Sequence, residues 1–304
     1  MRPIRLAAAL FLTGVCGSVL LGQDGNQANQ PVAPPNLLLL VRQEVPPARA
    51  NEREKLEVSM SRACDRLDAP SFWINLRSLS GSRESLFFDP FESFEHWEQS
   101  RAAWSEFYAA HPDLSRLQEE IDELIGSEHT IFAVRRRDLG YLTDSIDLSE
   151  TRFMRTIEVH LFPGRENDFV ESLKILADAH AKIQADTPWE VYQVNVGAAS
   201  PTFLIFMPLF KLAKNDDLLS WEQELENAEG DASAERLKQI AHDSFSSAET
   251  TLYEVRPEMS HVSREFAGSD PEFWRHAKPT DAMPDRKPYV KPSKKGAYEK
   301  LPSR

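Results

Sequence analysis

A short stretch of sequence occurs twice in the chain, and this repeat limits the possible folds more than any other feature. The first copy, residues 37–52, is LLLLVRQEVPPARANE, and the second, residues 154–168, is MRTIEVHLFPGREND. Both copies contain an alternating apolar pattern followed by Pro-x-Arg-x-Asn and an acidic residue. The shared residues keep a constant offset of 116 positions, from Pro47, Arg49 and Asn51 to Pro163, Arg165 and Asn167. The chain is therefore an internal duplication.

The same order of strands and helices follows each copy of the repeat. Period-two alternation predicts strands, and apolar residues at helical spacing predict helices. In the first half the predicted strands are 37–45, 71–80, 85–91 and 128–137, and the predicted helices are 51–67 and 93–125, with an interruption at Pro112. In the second half the strands are 152–162, 189–196, 202–209 and 249–256, and the helices are 165–186 and 212–246, with a break near Gly230. Each half has the βαββαβ order of a ferredoxin-like unit, so the fold class is α+β with two tandem units.

The segments outside the two units have distinct compositions. Residues 1–22 combine Arg2 and Arg5 with an apolar run, which predicts a cleaved signal peptide and therefore an exported, periplasmic or extracellular protein without a membrane span. The predicted order of segments after it is a flexible leader at 23–35, the first unit at 36–138, a linker at 139–151, the second unit at 152–258, and an extended or disordered basic tail at 259–304. After cleavage Cys64 is the only cysteine, which excludes an intramolecular disulfide.

The charge of the chain excludes one class of partner. The formal net charge is -13, although residues 275–304 contain nine Lys/Arg and only three Asp/Glu, so the two units are more acidic than the total suggests. Nucleic-acid binding depends on a basic surface, and we therefore expect no nucleic-acid partner. With 41% hydrophobic residues, the chain has enough apolar area to build a core without disulfide or metal crosslinks.

Two βαββαβ units in one chain also suggest how the sheets pack. Each unit covers one face of its sheet with its two helices and leaves the other face uncovered. In its element order and its repeated strand-turn-helix stretch, the sequence over roughly residues 37–257 resembles the dimeric α/β-barrel superfamily, which includes antibiotic-biosynthesis-monooxygenase-like and NIPSNAP-like proteins. The resemblance implies that the two sheets close one barrel within the chain, giving a monomeric pseudo-dimer. It implies a fold rather than an activity.

Strand alternation then predicts which side chains face the interior of such a barrel. The predicted interior set of the first strands consists of Arg42, Glu44, Glu158 and His160. The predicted interior set of the second strands consists of Trp73, Asn75 and Arg77, matched by Val191, Gln193 and Asn195. Because unpaired polar groups inside a protein cost ~1–3 kcal/mol each, so many polar residues indicate either a polar-lined ligand cavity or an ion-pair network.

Several residues have a structural interpretation beside a functional one. The four polar residues of the first strands would pair with one another across the interface in a structural network, and Trp73 is typical of a core or interface residue. His180 and Cys64 align at the offset of 116 on the buried stripes of their helices, which favours a core histidine and an inert thiol. Haem-binding members of the superfamily use a helix-borne histidine, for which His180 or His242 would be the candidate. Neither lies in a haem motif, and the chain contains no metal-site or nucleophile motif, so we expect no cofactor.

Two functional hypotheses follow from these residues. The first is an exported protein that binds a small molecule in a polar-lined cavity between the sheets and performs no chemistry. The alternative is a cofactor-independent oxygenase or isomerase-like enzyme that acts on a small aromatic or carbonyl compound. In that case His160 would be the candidate base, because imidazole titrates near neutral pH.

Overall fold

The computed structural model describes residues 32–274, without the side chains of residues 218–231. The predicted signal peptide, most of the predicted leader and residues 275–304 of the predicted tail lie outside this part. Within the described residues, no helix is long and apolar enough to cross a membrane.

The first repeat contains four strands and three helices. The elements are β1 (Leu37–Glu44), α1 (Ala50–Leu67), β2 (Ile74–Ser78), β3 (Glu84–Phe91), α2 (Phe94–Ala110), α3 (Pro112–Asp122) and β4 (Ser127–Arg135). The Ser93 hydroxyl caps α2 by accepting a hydrogen bond from the amide of His96. Pro112 occupies the first turn of α3, where a missing amide proton costs nothing, so the interrupted helix of the prediction is two helices.

The second repeat follows the same order with one longer helix. Its elements are β5 (Phe153–Leu161), α4 (Glu166–Lys182), β6 (Glu190–Val196), β7 (Thr202–Leu209), α5 (Lys214–Ser244) and β8 (Phe245–Val255). The backbone of α5 is continuous, and the predicted break near Gly230 was wrong. Two short helices complete the described chain, α6 (Arg264–Ser269) and α7 (Pro271–Trp274).

All eight strands form one closed antiparallel barrel in the order β1-β3-β2-β8-β5-β7-β6-β4. Each repeat contributes four adjacent strands in the ferredoxin-like order. The two sheets join where β2 pairs with β8 and where β4 pairs with β6. The second strand of each unit therefore pairs with the fourth strand of the other, which closes the barrel within one chain. The predicted α+β fold, with two tandem ferredoxin-like units whose sheets close one barrel, is confirmed.

Apolar side chains form three clusters around this sheet. The largest fills the barrel and draws from all eight strands, with members such as Leu40, Leu76, Ile131 and Phe206. A second cluster packs α4 against the outer face of the second sheet, and a third joins α1 to α2 and α3. Because strand side chains alternate between faces, membership of the barrel cluster identifies the interior positions of each strand.

This criterion corrects the strand phase predicted for β2 and β6. In β1 and β5 the interior positions include Leu38, Leu40 and Met154, so Arg42, Glu44, Glu158 and His160 have the interior phase, as predicted. In β2 the interior residues are Ile74 and Leu76, and in β6 they are Tyr192 and Val194. The interior phase predicted for Trp73, Asn75, Arg77, Val191, Gln193 and Asn195 was therefore wrong, since these residues lie on the outer face.

The segments around the second unit are more ordered than their composition predicts. The linker after β4 forms short 3-10 turns that bury Leu139 and Ile146. In the predicted tail, residues 259–274 pack on the barrel. There the indole of Trp274 is 3% exposed and donates a hydrogen bond to the carbonyl of Ser149. The prediction of an extended tail was wrong for these residues because their apolar side chains join the barrel core.

Candidate functional site

The polar interior residues of β1 and β5 meet at one end of the barrel. Arg42 Nη2 donates to Glu158 Oε2 at 2.9 Å, across the barrel from the first repeat to the second. Arg42 also lies 3.5 Å from Glu84 of β3, and Glu158 Oε1 lies 3.1 Å from His160 Nε2. The structure therefore brings these residues together as an ion-pair network, which was the structural alternative considered from the sequence.

The network continues into the core through β8. The hydroxyl of Tyr253, a fully buried residue, donates to Glu84. Burial, followed by the neighbouring Glu84 carboxylate, raises the pKa of Tyr253, so that this hydroxyl stays protonated and remains a donor. At the solvent side, His160 Nδ1 lies 2.7 Å from the Thr202 hydroxyl. Each residue of the network thus has at least one polar partner, although Arg42 Nε is buried without a hydrogen bond among the described residues.

The predicted binding residues of β2 have structural partners on the outer face. The Trp73 indole donates to the carbonyl of Met259 at 2.8 Å. The Asn75 side chain donates to Ser85 at 3.2 Å, while its backbone amide donates to the Ser260 hydroxyl. The segment that follows β8 therefore covers this face of the sheet. It is residues 257–261, which sequence reasoning had placed at the end of the second unit and the start of the tail.

The remaining predicted residues make their contacts outside the network of Arg42, Glu158 and His160. Arg77 pairs with Glu254 on the neighbouring strand β8 at 2.6 Å. Gln193 accepts a hydrogen bond from Arg136 at 3.0 Å, and Asn195 is exposed. Glu44 lies at the rim of the polar end, where Ser127 donates to its carboxylate. None of these residues lies with Arg42, Glu158 and His160 in one cavity.

The cavity of the barrel lies at its opposite end and is apolar. It has a volume of about 320 Å³ and receives side chains from seven of the eight strands. Its wall includes Leu38, Ile74, Leu76, Phe88, Met154, Tyr192, Phe206 and Val255. Met154 and His160 are six residues apart on β5, so roughly 20 Å of strand separates the cavity from the polar network.

Three segments outside the strands close this cavity. Residues 32–36, here called the strap, line it together with Leu148 of the linker and Phe266 of α6. The Tyr192 hydroxyl donates to the carbonyl of Pro35 at 2.8 Å, and Arg135 donates to the carbonyl of Pro34 at 3.1 Å. Residues 32–35 of the strap were predicted as part of a flexible leader, whereas two barrel side chains hold the strap over the cavity.

One buried ion pair borders the cavity. Arg135 pairs with Glu190, whose side chain is 2% exposed and lines the cavity wall. Among the described residues, the other carboxylate oxygen, Glu190 Oε1, accepts a single long hydrogen bond, from the amide of Val191 at 3.3 Å. The guanidinium Nε of Arg135 is buried without a hydrogen-bond partner. The cavity thus combines mainly apolar walls with a few charged groups, Glu92, Arg137 and the incompletely satisfied carboxylate of Glu190, the arrangement typical of small-molecule sites.

Other candidates from the sequence lie in packed surroundings. His180 is 7% exposed, and its Nδ1 lies 2.7 Å from the carbonyl of Leu176, while burial lowers its pKa. Burial raises the pKa of the Cys64 thiol to about 12, as expected for an inert cysteine. The side chain of His242 is 87% exposed on α5. In the part of the chain that the structure describes, no group of three or more His, Cys, Asp and Glu side chains is arranged to hold a metal ion.

Comparisons with known proteins add information about the fold alone. No protein-family model and no curated relative matches the chain. Similar solved structures include an anthrone oxidase-like protein, with 13% identity, a TM-score of 0.47, and coverage of 72% of this chain and 91% of that chain. They also include a mutant chlorite dismutase from Candidatus Nitrospira defluvii, with 10% identity, a TM-score of 0.46, and coverage of 74% and 93%. At this level of similarity no functional residue is transferred to the chain.

Proposed function

We propose that this protein binds a small, mainly apolar molecule that carries one hydrogen-bond donor, in the cavity closed by the strap. The observation that carries the proposal is the cavity itself, which lies inside the barrel and is walled by side chains of both repeats. Its volume of about 320 Å³ lies at the lower end of the range for small-molecule sites. A well-packed barrel of this size does not need such a space, because protein interiors normally leave few voids larger than a water molecule.

The walls favour a ligand with aromatic or branched apolar groups. Phe88 and Phe206 meet edge to face with 4.9 Å between ring centroids, and Tyr192 packs on Phe206 in the same way at 5.6 Å. Rings in these orientations present both faces and edges, and a planar aromatic ligand makes favourable contacts with either. Burial of each apolar square ångström contributes about 25 cal/mol, so affinity depends mainly on how completely the ligand fills the space.

The carboxylate of Glu190 is the reason to expect a hydrogen-bond donor on the ligand. Its pairing with Arg135 leaves Oε1 with a single long hydrogen bond, and an ionised carboxylate has room for more. A hydroxyl or amine placed there would satisfy this oxygen, and a ligand without a donor would leave it desolvated. We therefore expect a phenol or alcohol to bind more tightly than the hydrocarbon of the same shape.

Catalysis by His160 has no specific support from the geometry. His160 lies in the polar network, where its ring nitrogens face Glu158 and Thr202. It does not line the cavity. A base must reach the proton that it abstracts, directly or through one water, and this position does not meet that requirement for a ligand in the cavity.

Native mass spectrometry of the full protein purified from its own host tests the proposal. We expect the wild type to retain a small molecule, and the Ile74→Phe variant, whose larger side chain enters the cavity, to lose it. Val134→Phe is the matched control, because Val134 is 39% exposed on the outer face of β4. In a second measurement, phenol and benzene are titrated against both variants and the wild type, and we expect phenol to bind the wild type more tightly.

Two results would contradict the proposal. The first is retention of the same molecule by Ile74→Phe and by the control, which would place the ligand elsewhere. The second is absence of binding by the wild type in both measurements. Equal affinity for phenol and benzene would contradict only the role of Glu190.

A further inference from the structure

A ligand of the barrel cavity needs a route of entry, and most of the cavity walls cannot provide one. Seven strands of the closed barrel form these walls, and each strand is hydrogen-bonded to a neighbour on both sides. A gap between two strands would break a row of backbone hydrogen bonds, which costs more than the movement of a connecting segment. Outside the strands, the lining consists of the strap, part of the linker, Phe266 of α6, and the side chains of Glu92 and Arg137. The opening is therefore expected at one of these segments.

The linker and the last two helices are held by buried contacts. The indole of Trp274 is 3% exposed and donates to the carbonyl of Ser149 in the linker at 2.7 Å. Phe266 packs edge to face on this indole, with 4.9 Å between ring centroids. The guanidinium of Arg152, before β5, lies over the ring of Phe273 at 3.7 Å from its centroid. Movement of α6 or of the linker would therefore expose a buried tryptophan and its hydrogen bond.

The strap is held by fewer buried groups. Pro34 is the one of its five residues that is buried. Pro34 and Pro35 have no amide proton, so at these positions the strap only accepts hydrogen bonds, as it does from two barrel side chains. At the start of the strap, the amide of Val32 donates to Asp147 Oδ1 at 3.3 Å, and its carbonyl accepts from the amide of Leu148 at 3.2 Å. The strap is therefore held mainly by separate hydrogen bonds, and its release exposes one buried side chain.

Asn36, the last residue of the strap, bridges two strand ends at the mouth of the cavity. Its Nδ2 donates to Glu92 Oε2 at 2.7 Å, and its Oδ1 accepts from Arg137 Nη2 at 2.9 Å. Glu92 follows β3 and Arg137 follows β4, which are the two strands that flank β1. The Asn36 amide thus fixes the strap on both sides of the strand from which it extends. Both hydrogen bonds are exposed, so water replaces them when they break and the cost is small.

We propose that the strap is the gate of the barrel cavity. It opens at Asn36, because the next residue, Leu37, is 3% exposed and is paired with Phe91 and Val134 in the sheet. Opening separates the Asn36 amide from its two partners and connects the cavity with solvent. The closed strap then limits the rate at which a ligand enters and leaves. A gate for a ligand presupposes the proposed function, whereas the opening itself is measurable without any ligand.

Thiol labelling of the full chain tests the gate. Val255 lines the cavity and is 4% exposed, so the Val255→Cys variant places a thiol behind the strap. Cys64, fully buried in the cluster of α1, α2 and α3, is the internal reference, since it is expected to react only on unfolding. Iodoacetamide is added in excess under native conditions, and mass spectrometry of digests gives the rate at each site. We expect the thiol at position 255 to react faster than Cys64, because opening of the strap is a local event.

Asn36→Ala, in the same background, removes both bridging hydrogen bonds. It is expected to raise the labelling rate at position 255 roughly tenfold without a change at Cys64. Gln118→Ala on α3 is the matched control, because the Gln118 amide also makes two hydrogen bonds, with Asp122 at 2.8 Å and Tyr108 at 3.4 Å, and does not line the cavity. This control should leave the rate at position 255 unchanged.

The proposal is overturned if the thiol at position 255 reacts no faster than Cys64, since the cavity would then open only when the protein unfolds. It is also overturned if Asn36→Ala leaves the rate at position 255 unchanged, or if the control raises it as much. Met154→Cys, at another cavity position that is 5% exposed, replaces Val255→Cys if thermal melts show that the latter fails to fold. Labelling that depends on Asn36, together with absence of phenol binding, would contradict the proposed function and leave the gate intact.

Discussion

The carboxyl group of Asp89 gives the sharpest test of how burial on the helix-facing side of the barrel affects stability. Asp89 lies on β3 opposite Leu39 of β1, with its side chain on the outer face beside Phe87 and Phe91. Its Oδ1 is buried and has no hydrogen-bond partner among the described residues. Burial raises the pKa of this carboxyl from 3.8 to about 7. We expect Asp89→Asn, which keeps the shape and removes the charge, to stabilise the protein.

The difference between the folded and unfolded pKa of Asp89 sets the size of the expected change in the free energy of unfolding. At 1.36 kcal/mol per pH unit, a change from 3.8 to about 7 corresponds to ~4 kcal/mol of destabilisation when the carboxyl is fully ionised. The asparagine amide is also polar and buried, and an unpaired amide costs ~1–3 kcal/mol. The expected net gain in the free energy of unfolding is therefore ~1–3 kcal/mol above pH 7.

The sign of the pH dependence follows from the raised pKa. Well below pH 3.8 the carboxyl is protonated in both the folded and the unfolded state, so it carries no ionisation penalty. As the pH rises, the unfolded chain releases this proton first, and the penalty grows until the folded state also releases it near pH 7. The unfolding free energy of Asp89→Asn minus that of the wild type is therefore expected to be lowest at pH 4 and to rise up to pH 7.

Urea denaturation of both proteins between pH 4 and 8 measures this difference. Asp113→Asn on α3 is the control, since the Asp113 side chain is 96% exposed and its variant should show no pH-dependent gain. A constant difference for Asp89→Asn across this range, or a loss of stability at pH 8, would refute the account. Either result would mean that the Asp89 carboxylate has a favourable partner in solution.

Three further predictions concern packing and the polar network. Trp274→Ala is expected to lower the free energy of unfolding, measured by urea denaturation, by ~3–5 kcal/mol, because it empties a site in the barrel core. Deletion of residues 275–304, in contrast, should leave the melting temperature almost unchanged. Cys64 is expected to react with a thiol reagent only at the rate of unfolding, measured by absorbance with and without urea. Arg42→Met and Glu158→Gln should show a coupling energy of ~1–3 kcal/mol in a double-mutant cycle, and additive losses would contradict a direct ion pair.

The architecture was predictable because the repeated stretch preserves its periodicity. Val41 and Val45 of the first copy correspond to Ile157 and Leu161 of the second at the offset of 116, so the strand, turn and helix are recognisable in both copies. Alternation of this kind depends only on local geometry, so it is visible without any long-range information. The order of strands in the barrel then follows from the packing of two identical topologies.

The phase of β2 was not predictable in the same way. Its sequence alternates Trp73, Asn75 and Arg77 with the apolar Ile74 and Leu76, and the polar set was assigned to the interior. The outer face of β2 is instead covered by residues 257–261, whose Ser260 hydroxyl accepts from the backbone of Asn75. A strand face whose polar groups bond to a distant segment has the same local sequence pattern as a strand face that lines a polar cavity.

The cavity was missed for a related reason. Its walls combine one or two residues from each of seven strands with the strap, the linker and α6, and these contributions form no motif in the sequence. Glu190 and Tyr192 lie on the interior face of β6. The wrong strand phase had predicted that this face packs against the helices. The strap itself, at residues 32–36, has the Pro-rich composition of a linker, and only its contacts with Arg135 and Tyr192 show that it covers a site.

The polar network shows what a duplication within one chain makes possible. Arg42 and Glu158 are 116 residues apart, the offset of the repeat, so they occupy equivalent positions of the two units. In a barrel made from two identical chains the same residue would occupy both positions, and two arginines or two glutamates would meet across the axis. Like charges at this distance repel, and burial increases the cost. Joining the units in one chain allowed the two positions to diverge into an ion pair that connects the halves, while the other end of the barrel kept an apolar space.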